Sequence, residues 1–261
     1  MRQVALCAAV LALLAGCDQQ PASPAQPSAA SPPPAAPAAV ATAPPAPTLE
    51  DWKKALASTY TEKPRPPTKG EKLEDGVSEF VACFDTEPAV DGKCKNLMFG
   101  KRDAFRKLTH FTPGGSMLQS IVRDPYLRTY IAVRDCQPAN YFMAPQFWGE
   151  SWIFMNRLGV LVDGELVLDR DFESARVERD THGRGVFEQH HFIATDAERT
   201  AMDKLLTAKQ LAVRLTGTKG YVPVDRKDLP KLQEDARVMQ LVFNKIEAAT
   251  KDKRPPGGCG T

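Results

Sequence analysis

Leu158-Gly159-Val160-Leu161-Val162-Asp163-Gly164-Glu165-Leu166-Val167-Leu168 is the stretch that decides the fold. Two apolar runs flank Asp163-Gly164, a dipeptide that accepts positive φ at both central positions of a tight hairpin turn. Runs of this length, rich in Val and Leu and bounded by turn residues, read as strands. The sequence therefore folds back on itself here as a β-hairpin, and neighbouring segments are read from that anchor.

Downstream, Phe172 to Arg179 and Val186 to Ile193 suggest a second hairpin through Thr181-His182-Gly183-Arg184-Gly185. Thr195-Asp196-Ala197-Glu198 has the capping-box pattern, in which the Thr195 hydroxyl and Glu198 carboxylate satisfy two orphan amides, and it opens a helix running to about Lys209. Leu211, Val213 and Leu215 alternate as a strand, with Tyr221 to Val224 returning beside it. Asp228 then caps a last helix, whose Leu232, Ala236, Met239, Phe243 and Ile246 follow a 4, 3, 4, 3 spacing and form one apolar stripe.

Upstream, Tyr126 to Val133 alternates as a strand, and Trp152-Ile153-Phe154-Met155 resembles a short strand buried on both faces. Further forward, Leu49, Trp52, Leu56 and Tyr60 suggest a helix ending before Pro64, and Leu73, Val77, Phe80 and Phe84 a second one, weakened by Gly76. The expected class is α+β: a largely antiparallel sheet built from hairpins, helices packed on it, and a small helical segment in front. Residues 49–254 form one such domain, with a helical subregion over 49–112 and a flexible tail at 255–261.

The N-terminus is of another kind. One positive charge at Arg2 precedes an apolar run from Val4 to Leu14, too short to span a bilayer, which needs about 20 apolar residues. Residues 1–16 are thus a signal peptide. Leu14-Ala15-Gly16-Cys17 resembles the lipobox of bacterial lipoproteins. That resemblance covers the first 17 residues only, and implies that Cys17 carries diacylglycerol, with acyl chains such as palmitate, and becomes the mature N-terminus. It further implies a membrane anchor in the cell envelope with the domain facing the periplasm. Asp18 resembles the residue that retains some lipoproteins in the inner membrane, with the outer membrane as the alternative.

Between Pro21 and Thr48 stand ten prolines and eleven alanines in 28 residues, with no charged side chain. With Cys17 this makes residues 17–48 a semi-rigid tether rather than a fold element. Stretched as polyproline II it reaches on the order of 85 Å. A net charge of +2 over 261 residues gives no electrostatic footprint for nucleic acid.

Beyond Cys7 and Cys17, four cysteines remain: Cys83, Cys94, Cys136 and Cys259. An oxidising compartment favours disulfides. Four cysteines allow three pairings; Cys83 with Cys94 is preferred, closing a short loop, which leaves Cys136 and Cys259 to tie down the tail. No Cys-x-x-Cys or matching histidine spacing points to zinc, and the phosphate-loop, zincin, EF-hand and nucleophile-elbow motifs are absent, so neither metal nor cofactor is expected.

One constellation can be assembled. If the second hairpin pairs symmetrically about Gly183, Arg176 stands opposite His190 and Glu178 opposite Glu188, four ionisable groups on one sheet face that would bind an anion or move a proton. The plain alternative is a solvated strand face with exposed ion pairs. The aromatic stretch from Tyr141 to Phe154 reads as core before it reads as a ligand surface. The expected function is a lipid-anchored envelope module, leaning non-enzymatic, whose domain binds a protein partner such as an envelope assembly component or an exported toxin or hydrolase. The alternative is a periplasmic hydrolase or cell-wall-ligand binder acting through the 176/178/188/190 face.

Overall fold

A computed structural model describes residues 53–66, 72–85 and 94–251, apart from positions 57, 136 and 184. The expected signal peptide, the expected lipidation site Cys17 and the expected tether lie outside the described residues, as do Cys136 and Cys259. The architecture is α+β, with mostly antiparallel sheets and helices packed on them.

The larger sheet is built from β1 (Thr61–Pro64), β2 (Val77–Cys83), β3 (Leu97–Asp103), β4 (Leu108–Pro113), β5 (Tyr126–Arg134) and β6 (Asn140–Gly149). It adds β9 (Glu178–His182), β10 (Gly185–Gln189) and β11 (Phe192–Ile193). Its order is β1-β2-β3-β4-β5-β6-β10-β9, with β11 also on β6. The smaller sheet comprises β7 (Met155–Val162), β8 (Glu165–Asp171), β12 (Leu211–Gly217) and β13 (Gly220–Pro223), in the order β13-β12-β7-β8. Helices α1 (Gly114–Val122), α2 (Asp196–Leu205) and α3 (Leu229–Thr250) accompany them, besides a helical turn at residues 53–55.

The hairpin that anchored the sequence reading is β7–β8. Asp163 and Gly164 have φ of 49° and 87°, the left-handed values that the turn demands. The Asp163 carboxylate also accepts from the backbone amides of Lys209 and Gln210, which fastens the turn to the chain entering β12. Leu158, Val160 and Val162 alternate inward opposite Leu215, Val213 and Leu211. The capping box at Thr195 and Glu198 is formed on both sides. Asp228 sits at the N-cap of α3 but makes no side-chain cap bond; its carboxylate pairs with Lys231 instead.

The front of the domain departs from expectation. Val77, Phe80 and Phe84 belong not to a helix but to β2 and its exit, and of the described residues of the first proposed helix only 53–55 are helical. Period-2 burial within β2 puts Phe80 and Ala82 inward, so the helical spacing was a coincidence of three apolar positions. Residues 152–154 are likewise a connection into β7 rather than a strand.

α3 covers the inward face of the large sheet. Leu232, Ala236, Met239, Phe243 and Ile246 are all buried, and Phe243 meets Tyr141 of β6 edge-on at 5.9 Å. Phe80, Phe84 and Phe111 interlock by edge-to-face contacts at the other end. Cys83 and Cys94 form a disulfide across the β2–β3 connection, as preferred from sequence. A loop of that size contributes about 3 kcal/mol in the chain-entropy account.

Candidate functional site: a cationic pocket on the open face of the large sheet

The four residues singled out from sequence do not meet as one cluster. Gly185 pairs with His182, Glu188 with Arg179 and Gln189 with Glu178, one residue away from symmetry about Gly183. A slip of one residue exchanges the two faces of a strand. Glu188 therefore faces inward, fully buried, while Glu178 is exposed. Arg176 lies in a 3-10 turn, its guanidinium exposed and paired with Glu173. Only its carbonyl oxygen contacts His190, whose Nδ1 is 3.1 Å away and whose ring stacks on Phe172 at 4.5 Å.

Glu188 is a clasp. Its two carboxylate oxygens accept from the backbone N–H groups of Ile153, Phe154 and Met155 at 2.8, 2.9 and 2.7 Å. Arg179 completes the set as an ion pair at 3.3 Å. Phe154 holds a φ of 53°, unusual for a bulky residue, and the carboxylate gathering three successive amides is what fixes that bend. The guanidinium of Arg179 and the ammonium of Lys219 both lie over the Phe154 ring. Every valence of this carboxylate is spent joining β10 to the start of β7. It is an architectural group with no capacity left for a ligand.

The ligand-sized space lies elsewhere, on the face of the large sheet turned away from α3. Strand register sets its walls. Glu79 on β2 stands beside Lys101 on β3, and Lys101 beside His110 on β4. On β5, Arg128 and Tyr130 point outward between the buried Leu127, Thr129 and Ile131. Gly100 forms part of the floor: a Cβ there would stand 2.2 Å from the Phe80 ring, so only glycine lets that ring lie against the strand. Met117 of α1 closes one side. The result is a pocket of about 310 Å³, lined also by Arg65, Phe99, Thr112 and His191, at the lower end of the roughly 300–1,000 Å³ typical of small-ligand sites.

Aromatic rings order this face. Tyr130 stacks on Phe142 at 4.7 Å and 3°, and His110 and His191 meet it edge-on at 5.6 and 5.7 Å. The Tyr130 hydroxyl and His191 Nδ1 are 3.1 Å apart. Burial pushes the Tyr130 phenol up to about 12, so it stays protonated. Burial likewise lowers both histidines from their ordinary value, with the positive charge of Lys101 adding to the effect at His110. At neutral pH both rings are therefore uncharged.

The charges are unbalanced. Arg65 is paired with Glu79. Arg128 is not paired: its Nε is sealed from solvent with no hydrogen-bond partner, and among the described residues no carboxylate lies within ion-pair distance of its guanidinium. Burial lowers its pKa, a sign that the charge is held against a desolvation cost. Lys101, exposed at the mouth, also lacks a carboxylate partner among the described residues. A forked, half-buried guanidinium without an acceptor among the described residues presents a bidentate site for a carboxylate or phosphate oxygen pair.

Elsewhere, Cys83, Asp85 and Cys94 are close enough together to suggest metal ligation, but both sulfurs are committed to the disulfide. Asp235 of α3 is buried and accepts from Gly115 N–H, Ser116 Oγ and Tyr126 OH, which anchors the first turn of α1. Desolvation raises its carboxyl to about 6. No protein-family model, curated protein or solved structure matches the chain.

Arg128, Tyr130, Lys101 and His110 carried no sequence signal of their own. On a strand whose other face is apolar, charged and aromatic residues at alternate positions read as a solvated surface. Only the cross-strand register and the placement of Met117 turn that surface into a cavity.

Proposed function

We propose that the chain is an envelope-tethered binding module, anchored through Cys17, whose domain takes a small anionic ligand in the pocket of the large sheet. The observation that carries this reading is the half-buried Arg128 guanidinium, which has no acceptor among the described residues. A charge held in this state destabilises the empty fold, and an entering anion offsets the cost. The apolar and aromatic lining suits binding rather than turnover: the rings fix orientation, the cations supply the charge contact, and among the described residues no activated nucleophile stands beside them. This moves the small-ligand reading from the 176/178/188/190 face to the pocket, and favours it over a protein partner.

The test uses the full-length lipidated chain in lipid nanodiscs and radiolabelled benzoate, followed by equilibrium dialysis. The expected outcome is saturable binding at one site per chain, weakened tenfold or more (about 1.4 kcal/mol) by Arg128→Met and unchanged by Arg176→Met, which removes an exposed arginine. Equal effects of the two replacements, or no saturable binding, would overturn the proposal.

A further inference from the structure

The charge and the apolar surface around the pocket together define the shape of its occupant. With Arg65 neutralised by Glu79, the cations facing the cavity are Lys101 and Arg128. The Glu178 carboxylate acts on both Tyr130 and His191 from the β9 side. One positive charge is left in excess, which a single carboxylate balances and a dianionic phosphate does not. A planar carboxylate also matches the fork of one guanidinium, without the further donors that a phosphate's third oxygen requires.

The apolar part of the occupant is indicated by α1. Met117 faces the pocket beside Phe99. The same helix leaves two large apolar side chains in solvent one turn apart, Leu118 at 56% and Val122 at 53% exposure. Positions i and i+4 share one helix face, so these two form an apolar strip on α1 that starts at the residue after Met117. Apolar side chains exposed side by side on the helix that also walls a cavity extend the apolar surface a ligand can cover.

We infer that the ligand is a monocarboxylate with an unbranched acyl tail, its head on Arg128 and Lys101 and its tail running past Phe99 and Met117 onto the Leu118 and Val122 strip of α1. The inference rests on the binding reading above and adds to it the head group and the tail. The groups that titrate against the head are His110, which faces Lys101, Asp103 and Arg106, and His191, which faces Glu178, Arg128 and His190. Protonating either ring adds a positive charge beside the head, and since both are lowered, affinity rises as pH falls below the ordinary histidine value.

The experiment measures dialysis binding of butyrate, hexanoate and octanoate to the full-length chain in nanodiscs, with empty nanodiscs as blank. Affinity should rise by up to about fourfold for each methylene that becomes covered, octanol should bind at least tenfold more weakly than octanoate, and octyl phosphate should not bind more tightly. Leu118→Ser, an exposed position that the fold does not need, should flatten the long end of the series. Equal affinity across the three acids would overturn the tail while leaving the anion pocket standing. Tighter octyl phosphate, or octanol equal to octanoate, would overturn the carboxylate head. Failure of every carboxylate, butyrate included, would remove the binding reading itself.

Discussion

Glu188 and Arg128 are both charges drawn into the large sheet, one on each face, and they stand in opposite situations. Glu188 is fully buried yet saturated: three backbone amides and one guanidinium surround it. Arg128 is half-buried and has nothing to pair with among the described residues. A buried ion that has all its partners holds a fold in one conformation, whereas one that has none weakens the fold and is retained for something that arrives from outside. The sequence reading put Glu188 among the binding residues; on these criteria it is the least available of them.

Three substitutions sharpen or break that contrast. The largest effect is expected from Glu188→Ala, which orphans three amides and leaves Arg179 without its partner: a loss of about 3–5 kcal/mol, read as a lower midpoint in urea unfolding. A change below about 1 kcal/mol would mean that the bend at Phe154 holds without the carboxylate.

Asp235 comes next and is intermediate in kind, a buried acid with hydrogen bonds but no paired cation among the described residues. Its carboxyl is raised in the fold to about 6 from an ordinary 3.8. Its contribution to stability is therefore fully present below about pH 4 and is lost as pH climbs through about 6, on the order of 3 kcal/mol in all. Asp235→Asn removes that dependence, so the stability of the variant relative to the parent should improve by that amount from about pH 4 to about pH 7. A pH-independent difference would show that the three donors to Asp235 fully offset its burial.

The smallest effect on stability is expected at Arg128. Replacing it by Met fills similar space and removes an uncompensated charge, so the fold should be unchanged or stabilised by up to about 1 kcal/mol while benzoate binding falls. Destabilisation by more than that would place Arg128 with Glu188 as a structural charge and dissolve the contrast.

How much of this was legible can be argued residue by residue. Asp163-Gly164, the Thr195–Glu198 capping box and the stripe of α3 are local or strictly periodic signals, and each appears where it was read. The Cys83–Cys94 bridge was preferred for its short loop, and it forms. The failures share a cause: each required knowing what lies across the sheet. The β9–β10 register turned on whether one or two positions separate the paired strands at Gly183, a difference with little local signature and a complete exchange of faces as its result. β2 was mistaken because three aromatic and apolar positions matched a helical period. α1 was missed because Gly114-Gly115-Ser116 reads as a turn, and its start is stabilised by Asp235, 120 residues away from Gly115. The pocket inherits both obscurities, since its walls are cross-strand neighbours and its rim is that helix.

The covering of early strands by the last described helix has a consequence in time. Lys245 donates to the carbonyl of Phe84, 161 residues earlier, and Arg237 to the side chain of Asn96, 141 residues earlier. Chains dominated by such distant closures fold slowly, because loop entropy is lost before the contacts repay it. As the chain emerges from its N-terminus onward, β2 to β6 complete their hydrogen-bond ladder long before α3 exists to cover Ile131, Tyr141 and Met143. That interval leaves a broad apolar sheet surface open to other chains, the condition under which newly made proteins aggregate. Whatever the pocket binds, the cell must first shepherd this domain to the end of its own sequence.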